Sequence, residues 1–316
     1  MPKGLRIFVA NTDKAWFDFL SESQPWDEVN FWQPSGSREF KTLGCGELFL
    51  FKLKAPYNRI GGGGIFVRGS LLPLSLAWEA FRTANGAPDA ATMRQRIARY
   101  RSEPPGSKED FTIGCRLISA PVFLPESQWL PVPSDWASNI VDGKSYTLDN
   151  QEAERLWAFF ERACSGRAPQ ADPDLLTGMG EEQARYGEPV LIRPRLGQGT
   201  FRVLVTDAYT RKCAVTGEKV LPALDAAHIK PFSDGGEHSV PNGVLLRKDI
   251  HSLFDAGYVT ITPDYHFEVS KSVQVEFNNG KEYYRLHGSR IYLPTNKELH
   301  PARTALDWHN TEKFRA

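Results

Sequence analysis

The chain has 316 residues, 41% hydrophobic and 24% charged, and 38 Lys+Arg balance 38 Asp+Glu to a formal net charge of zero. At about 150 residues per domain this length implies two domains, each large enough to bury its own core, and the abundant Trp, Tyr and Phe exclude a disordered chain. No apolar run approaches the ~20 residues needed to span a bilayer; the nearest, Gly46 to Leu53, has the length of a strand.

In chain order, Met1 to Arg6 does not read as a secretory signal, and Leu5 to Ala10 reads as a strand. Asn11-Thr12-Asp13 opens a short amphipathic helix that ends near Leu20. Glu47 to Lys54 is a strand, and Ile65 to Arg68 resumes as its hairpin partner after a loop that contains Gly61 to Gly64. Pro73 to Asn85 and Ala90 to Arg101 read as helices, Phe111 to Leu124 as strand, and Glu152 to Cys164 as a helix with an apolar face. Residues 166–189, polar and rich in Pro, Gly and Ala, read as a linker between domains 1–165 and 190–316. Cys45, Cys115, Cys164 and Cys213 are scattered with no C-x-x-C pair, which predicts free thiols and a cytoplasmic setting without a membrane partner.

All seven histidines lie at or beyond His228, and imidazole is the usual metal ligand and general base near neutral pH. This part opens with Arg195 to Arg202 and a helix through Ala208, and Leu221 to Ile229 reads as a strand that carries Asp225 and His228. A Gly- and Pro-bearing loop then leads to Asn242 and a second strand, Gly243 to Arg247. Asp249 is read as the N-cap of a helix Ile250 to Ala256, closed by Gly257. The order is strand, loop, strand, helix.

These blocks, Ala227-His228-Ile229, Pro241-Asn242-Gly243 and His251-Ser252-Leu253-Phe254-Asp255-Ala256-Gly257, resemble the HNH endonuclease signature. The resemblance implies a ββα-metal finger with one divalent cation and His228, Asn242 and His251 as catalytic residues. A neutral imidazole at a strand end can deprotonate water. His251 and Asp255, four apart on a helix, share a face and can grip one cation. Asn242 has three readings: it pins the loop and the His228 tautomer, it reaches the metal, or it is only a turn residue before Gly243. Many relatives carry a ligand immediately before the base, where this chain has Ala227; either Asp255 makes up the ligand count, or Asp225, expected to point with Ala227 away from His228, reaches in from the strand. An oxygen-rich donor set of this kind favours Mg²⁺ or Mn²⁺. Thr216 stands where a second cysteine of a zinc pair would follow Cys213, so no structural zinc is expected and Cys213 is assigned to the local core. Arg195, Arg202 and Arg247 are the candidate phosphate contacts; the other five histidines, His238 among them, are read as structural or exposed.

The first domain is similar to the PUA-like superfamily, which includes EVE and SRA domains, in its order of strand, helix, Asn30 to Gly36, then Gly44 to Lys52. The resemblance implies a pseudo-barrel that reads a flipped base. Trp32, placed in a loop, Trp16 and Tyr57 are candidate walls, and Gln33, Ser35 and Asn58 candidate edge readers. Trp16 also reads as a helix-borne core residue. Gly61 to Gly64 are read as a close approach to DNA.

The combined expectation is an α+β chain: a PUA-like pseudo-barrel reader followed by a ββα-metal nuclease. It would cut double-stranded DNA at modified cytosine, and cutting of both strands would take a homodimer or two binding events. Two alternatives stay open at this stage: a nuclease gated by a small nucleotide or other ligand, and a non-catalytic nucleic-acid-binding protein.

Overall fold

The computed structural model describes residues 5–101, 109–147, 151–165 and 196–316; the expected linker 166–189 lies outside them. The chain divides into two compact units, Met1–Arg195 and Leu196–Ala316.

The first unit is a mixed sheet dressed with helices. Its strands are β1 (Arg6–Thr12), β2 (Glu28–Gln33), β3 (Leu48–Leu53), β4 (Arg59–Pro73), β5 (Thr112–Phe123), β6 (Leu130–Pro131) and β7 (Gly143–Thr147). The hydrogen-bonded order is β2-β5-β4-β3-β1-β7, with β6 on β4. Among the described residues only β1 and β3 pair in parallel, Ile7 facing Leu48. The helices are α1 (Lys14–Glu22), α2 (Leu74–Phe81), α3 (Ala90–Ala98) and α4 (Gln151–Ser165). Asp13 caps α1 by accepting from the backbone N–H groups of Ala15 and Trp16, which satisfies donors that a helix start leaves open.

Strand β3 is buried on both faces, so it reads as an apolar run interrupted only by the buried Lys52 rather than as an alternation. Phe49 and Phe51 sit at 0% exposure among Phe31, Phe123 and Trp16. Each such ring contributes about 1.5–3 kcal/mol by leaving water.

Two expectations are corrected here. Gly61 to Gly64 form no loop; they lie inside β4 and are buried. A Cβ at Gly62 would stand 2.0 Å from the Val122 carbonyl oxygen, and one at Gly63 2.6 Å from Leu50 Cδ2. The glycines therefore serve close approach of neighbouring strands, not of DNA. Trp32 is likewise a strand residue on β2, 9% exposed, with its indole N–H on the Asn85 carbonyl.

The sheet path is open, and β2 and β7 share no ladder among the described residues. Side chains still join the two ends. Asp142, which precedes β7, accepts from Gln33 Nε2 at the end of β2 at 2.6 Å and from Arg116 Nη2 on β5 at 2.8 and 2.7 Å. Arg116 is 1% exposed amid the rings of Phe8, Phe31, Phe40 and Phe49, whose π faces partly replace the water it has lost.

The second unit begins with α5 (Gln198–Ala208) and the two-stranded ribbon β8 (Leu224–His228) and β9 (Gly243–Arg247), followed by α6 (Lys248–Asp255). A second ribbon, β10 (Val259–Ile261) with β11 (Phe267–Val269), precedes α7 (Ser272–Phe277), α8 (Lys281–Tyr284) and α9 (Arg303–Glu312). One core joins α5, both ribbons and α6 through Phe201, Val244, Leu246, Ile250, Phe254 and Phe267. Cys213 is fully buried in it, its sulfur accepting from the N–H groups of Thr216 and Arg247. Asp249 is not the N-cap of α6 as expected. That place falls to Arg247, and Asp249 sits in the first turn with its carboxylate on the Arg247 guanidinium. Gly257 ends the helix at φ 75°, where a Cβ would meet the Lys313 carbonyl oxygen at 2.0 Å.

Candidate active site

The two strands of the ββα unit pair antiparallel, Asp225 opposite Leu246 and His228 opposite Gly243. The missing side chain at Gly243 admits α5: a Cβ there would stand 2.5 Å from Val205 Cγ2 and 2.9 Å from the Phe201 ring. Phe201 can thus lie flat on His228, ring centroids 3.8 Å apart and planes at 13°.

A cleft of about 400 Å³ opens beside this stack, and Arg202, Asp225, His228, His251 and Asp255 all line it. The strict alternation expected along β8 does not hold. Ala227 is fully buried in the core, whereas Asp225 and His228, at the strand's terminal residue, reach the same cleft.

His228 is held neutral. Burial first, and then the nearby His238 and His251, push its pKa down from 6.5 to about 4. His251 moves the other way: burial lowers it, but the hydrogen bond to Asp225 and the charges of Asp255 and Asp225 outweigh that and raise it. Asp225 is kept below the usual carboxylate range because His251 and Arg202 outweigh its burial. Burial raises Asp255.

The expected trio Asp225, His251 and Asp255 does not converge on one point. Asp225 Oδ2 lies 3.2 Å from His251 Nδ1, while Asp255 Oδ2 lies 3.3 Å from the opposite ring nitrogen, Nε2. Among the described residues no three His, Cys, Asp or Glu side chains are arranged to hold a metal. The Asp225–His251 spacing nevertheless suits two neighbouring ligands of one hard cation, since metal–oxygen bonds of about 2.1 Å put adjacent octahedral ligands about 3 Å apart. Mg²⁺ is commonly bound by one or two side chains, completed by water and substrate phosphate, without an all-protein cage. Asp255 lies on the far nitrogen of the same ring.

Asn242 does not reach this cluster. Its amide oxygen accepts from Lys230 N–H at 2.9 Å, and its Nδ2 donates to the carbonyls of Lys230 and Glu237 at 2.8 and 2.9 Å. Of its three readings, pinning the loop is the one the geometry favours. That loop carries His238, which sequence reasoning dismissed: its Nδ1 lies 2.9 Å from His228 Nε2. Its only signal in the sequence is a histidine between two motif blocks, which by itself says nothing of what it touches.

Arg202 lines the cleft with Nη2 3.2 Å from Asp225 Oδ1. Arg247, another candidate phosphate contact, has its Nε and Nη2 each 2.7 Å from an Asp249 oxygen. Arg195 lies outside the described residues. His309 lines the cleft wall but is buried, bonded to Thr260 Oγ1 and to the Phe254 carbonyl.

In the first unit Trp16, Trp32, Gln33 and Ser35 share a cavity of about 330 Å³ with Asp142, Lys54 and Tyr100. Tyr57 belongs to a different cavity, beside Arg59 and Trp129. Asn58 is engaged elsewhere, accepting from Lys52 Nζ at 3.0 Å. Trp16 is 2% exposed with its indole N–H on the Asn30 carbonyl, so it serves chiefly as core.

Residues 213–262 match the HNH endonuclease family. The second unit therefore carries an HNH endonuclease domain, which implies phosphodiester hydrolysis and a DNA substrate; HNH nucleases generally use a divalent metal. No curated protein sequence matches the chain. A mutant ZmASCH protein from Zymomonas mobilis, known from its crystal structure, aligns at 9% identity over 48% of this chain and 96% of its own, with a TM-score of 0.32. The modification-dependent TagI restriction endonuclease aligns at 14% identity over 98% of this chain and 82% of its own, with a TM-score of 0.28. No helix among the described residues is long and apolar enough to cross a membrane.

Proposed function

We propose that this chain is a modification-dependent restriction endonuclease: the second unit hydrolyses the DNA backbone and the first reads a modified cytosine flipped from the duplex. The observation that carries the nuclease half is one cleft holding a neutral imidazole, His228, together with the Asp225–His251 pair. A neutral ring is ready to take a proton, and its depressed pKa keeps it so across the physiological range.

In the mechanism, His228 removes a proton from the attacking water and carries it as imidazolium. Asp225 and His251 would hold a divalent cation, with Asp255 orienting His251; the chemistry it would supply there is neutralisation of charge on the phosphate and on the departing 3′ oxygen. Arg202, paired with Asp225 on the cleft wall, supplies a guanidinium that can donate to a phosphate oxygen. The expected products are a 5′-phosphate and a 3′-hydroxyl. One such site cuts one strand, so a double-strand break requires a homodimer or two binding events.

For the reader half, the support is the first unit's cavity. Trp32 supplies an aromatic wall, and Gln33, Ser35 and Asp142 supply donors and acceptors at hydrogen-bonding positions. The Asp142 links to Gln33 and Arg116, which draw the sheet's ends together, support the PUA-like pseudo-barrel reading. The test is digestion of otherwise identical duplexes carrying cytosine, 5-methylcytosine, 5-hydroxymethylcytosine or its glucosylated form, with Mg²⁺ or Mn²⁺. Cutting confined to one or more of the modified duplexes supports the full reading. Equal cutting of all four removes the reader and leaves a plain nuclease.

A further inference from the structure

We propose that His238 is a positioning residue for the hydrolytic base: its Nδ1 accepts a hydrogen bond from Nε2–H of His228, which keeps the Nδ1 lone pair of His228 free for the proton of water. The proposal rests on the nuclease reading above and adds a residue that the three motif blocks do not contain.

The argument begins with the 2.9 Å separation of His228 Nε2 and His238 Nδ1. Two imidazole nitrogens at that distance share one proton, and only one of the two arrangements leaves a base. With His228 as donor, its second nitrogen carries a bare lone pair. In the reverse arrangement His238 donates, the His228 proton sits on Nδ1, and no lone pair is left to receive one from water.

Packing sets the line between these atoms. Phe201 lies flat against His228, and Phe232 lies parallel to His238 with centroids 5.0 Å apart and planes at 7°. The loop that carries His238 is closed by Asn242, one of whose hydrogen bonds ends on the carbonyl of Glu237, the residue just before His238. Asn242 thereby acts on the base at one remove: it fixes the loop, the loop presents His238, and His238 selects the His228 tautomer. After His228 takes the water's proton on Nδ1, its Nε2–H still donates to His238, which supports the new positive charge.

The test has a spectroscopic and a kinetic arm, both on the full chain. Long-range ¹H–¹⁵N spectra of the histidine-labelled protein, with the His228 signals assigned by their loss in His228→Ala, should show His228 protonated at Nε2. His238→Asn places an amide oxygen near the position of Nδ1 and should keep that tautomer; His238→Phe keeps a ring but no acceptor and should lose it. In single-turnover cutting, His238→Phe should be slower by about tenfold or more with DNA affinity unchanged, and His238→Asn should recover most of the rate. A wild-type His228 protonated at Nδ1, a Phe variant as fast as wild type, or an Asn variant as slow as the Phe variant overturns the proposal. A wild type that cuts no DNA overturns the nuclease reading and this role together, whereas a cutting wild type with the wrong tautomer overturns only the role of His238.

Discussion

Asp225 Oδ2 lies 3.2 Å from His251 Nδ1, although the two residues are 26 positions apart on different elements of the ββα unit. The contact puts a carboxylate and an imidazole side by side in the cleft that also holds His228. In the proposed function this pair, rather than the helix pair His251 and Asp255, is the centre of the donor set. Asp255 meets the opposite ring nitrogen.

That division predicts unequal effects on metal use. Asp225→Asn should raise the Mg²⁺ or Mn²⁺ concentration needed for half-maximal cutting more than Asp255→Asn does. The orienting carboxylate should cost about 10–100-fold in affinity at most. Titrating each variant with metal after chelation checks this; a larger effect at Asp255 would move the ion to the other side of the ring.

Removing the base is the second expectation. His228→Ala should slow single-turnover cutting by about 10²–10⁴-fold while leaving DNA binding intact. The variant's fold should persist, because the ring is only partly buried and its removal leaves the Phe201 side of the core in place.

Acid should weaken the fold before it reaches the carboxylates. Burial, more than any neighbour, pushes His309 down to about 4, and burial with its neighbours does the same to His228. The unfolded rings bind protons near pH 6.5, so between about 6.5 and 4 the unfolded state holds more protons and stability rises with pH. Urea midpoints should therefore fall as pH drops through that window, and His309→Gln should flatten the dependence. An unchanged slope in the variant would mean that His309 is not kept neutral by the fold.

How much of this was legible in the chain depends on the range of the contact. The blocks around His228, Asn242 and His251 could be placed on strand, strand and helix because capping, turn and periodicity signals are local. Most first-unit strands and helices were readable for the same reason. Gly61 to Gly64 were misread because four glycines are a loop signal locally, while their reason, the close carbonyl of Val122, lies in another strand about sixty residues on. Trp32 was misplaced by the turn residues after it, Pro34 and Gly36, whereas its pairing with Cys115 across the β2–β5 ladder, which makes it strand, is a contact with a distant part of the chain. His238 and Asp142 carry no local mark, and only the assembled fold puts one beside His228 and the other beside Gln33.

The buried glycines give a stability prediction in turn. Gly62→Ala would drive a Cβ to 2.0 Å from the Val122 carbonyl oxygen, a backbone atom that cannot step aside cheaply. The cost should be about 1–3 kcal/mol or more, read as a lowered Tm of the first unit. A variant as stable as the wild type would show that β4 and β5 are farther apart than described.

The most direct measurement is cutting of a labelled duplex carrying modified cytosine by wild type and by His228→Ala, each with Mg²⁺ or Mn²⁺ and after chelation. The account predicts metal-dependent breaks with 5′-phosphate ends from the wild type and at least about a hundredfold fewer from the variant. Equal cutting by both proteins, or none by the wild type with either metal, would contradict it.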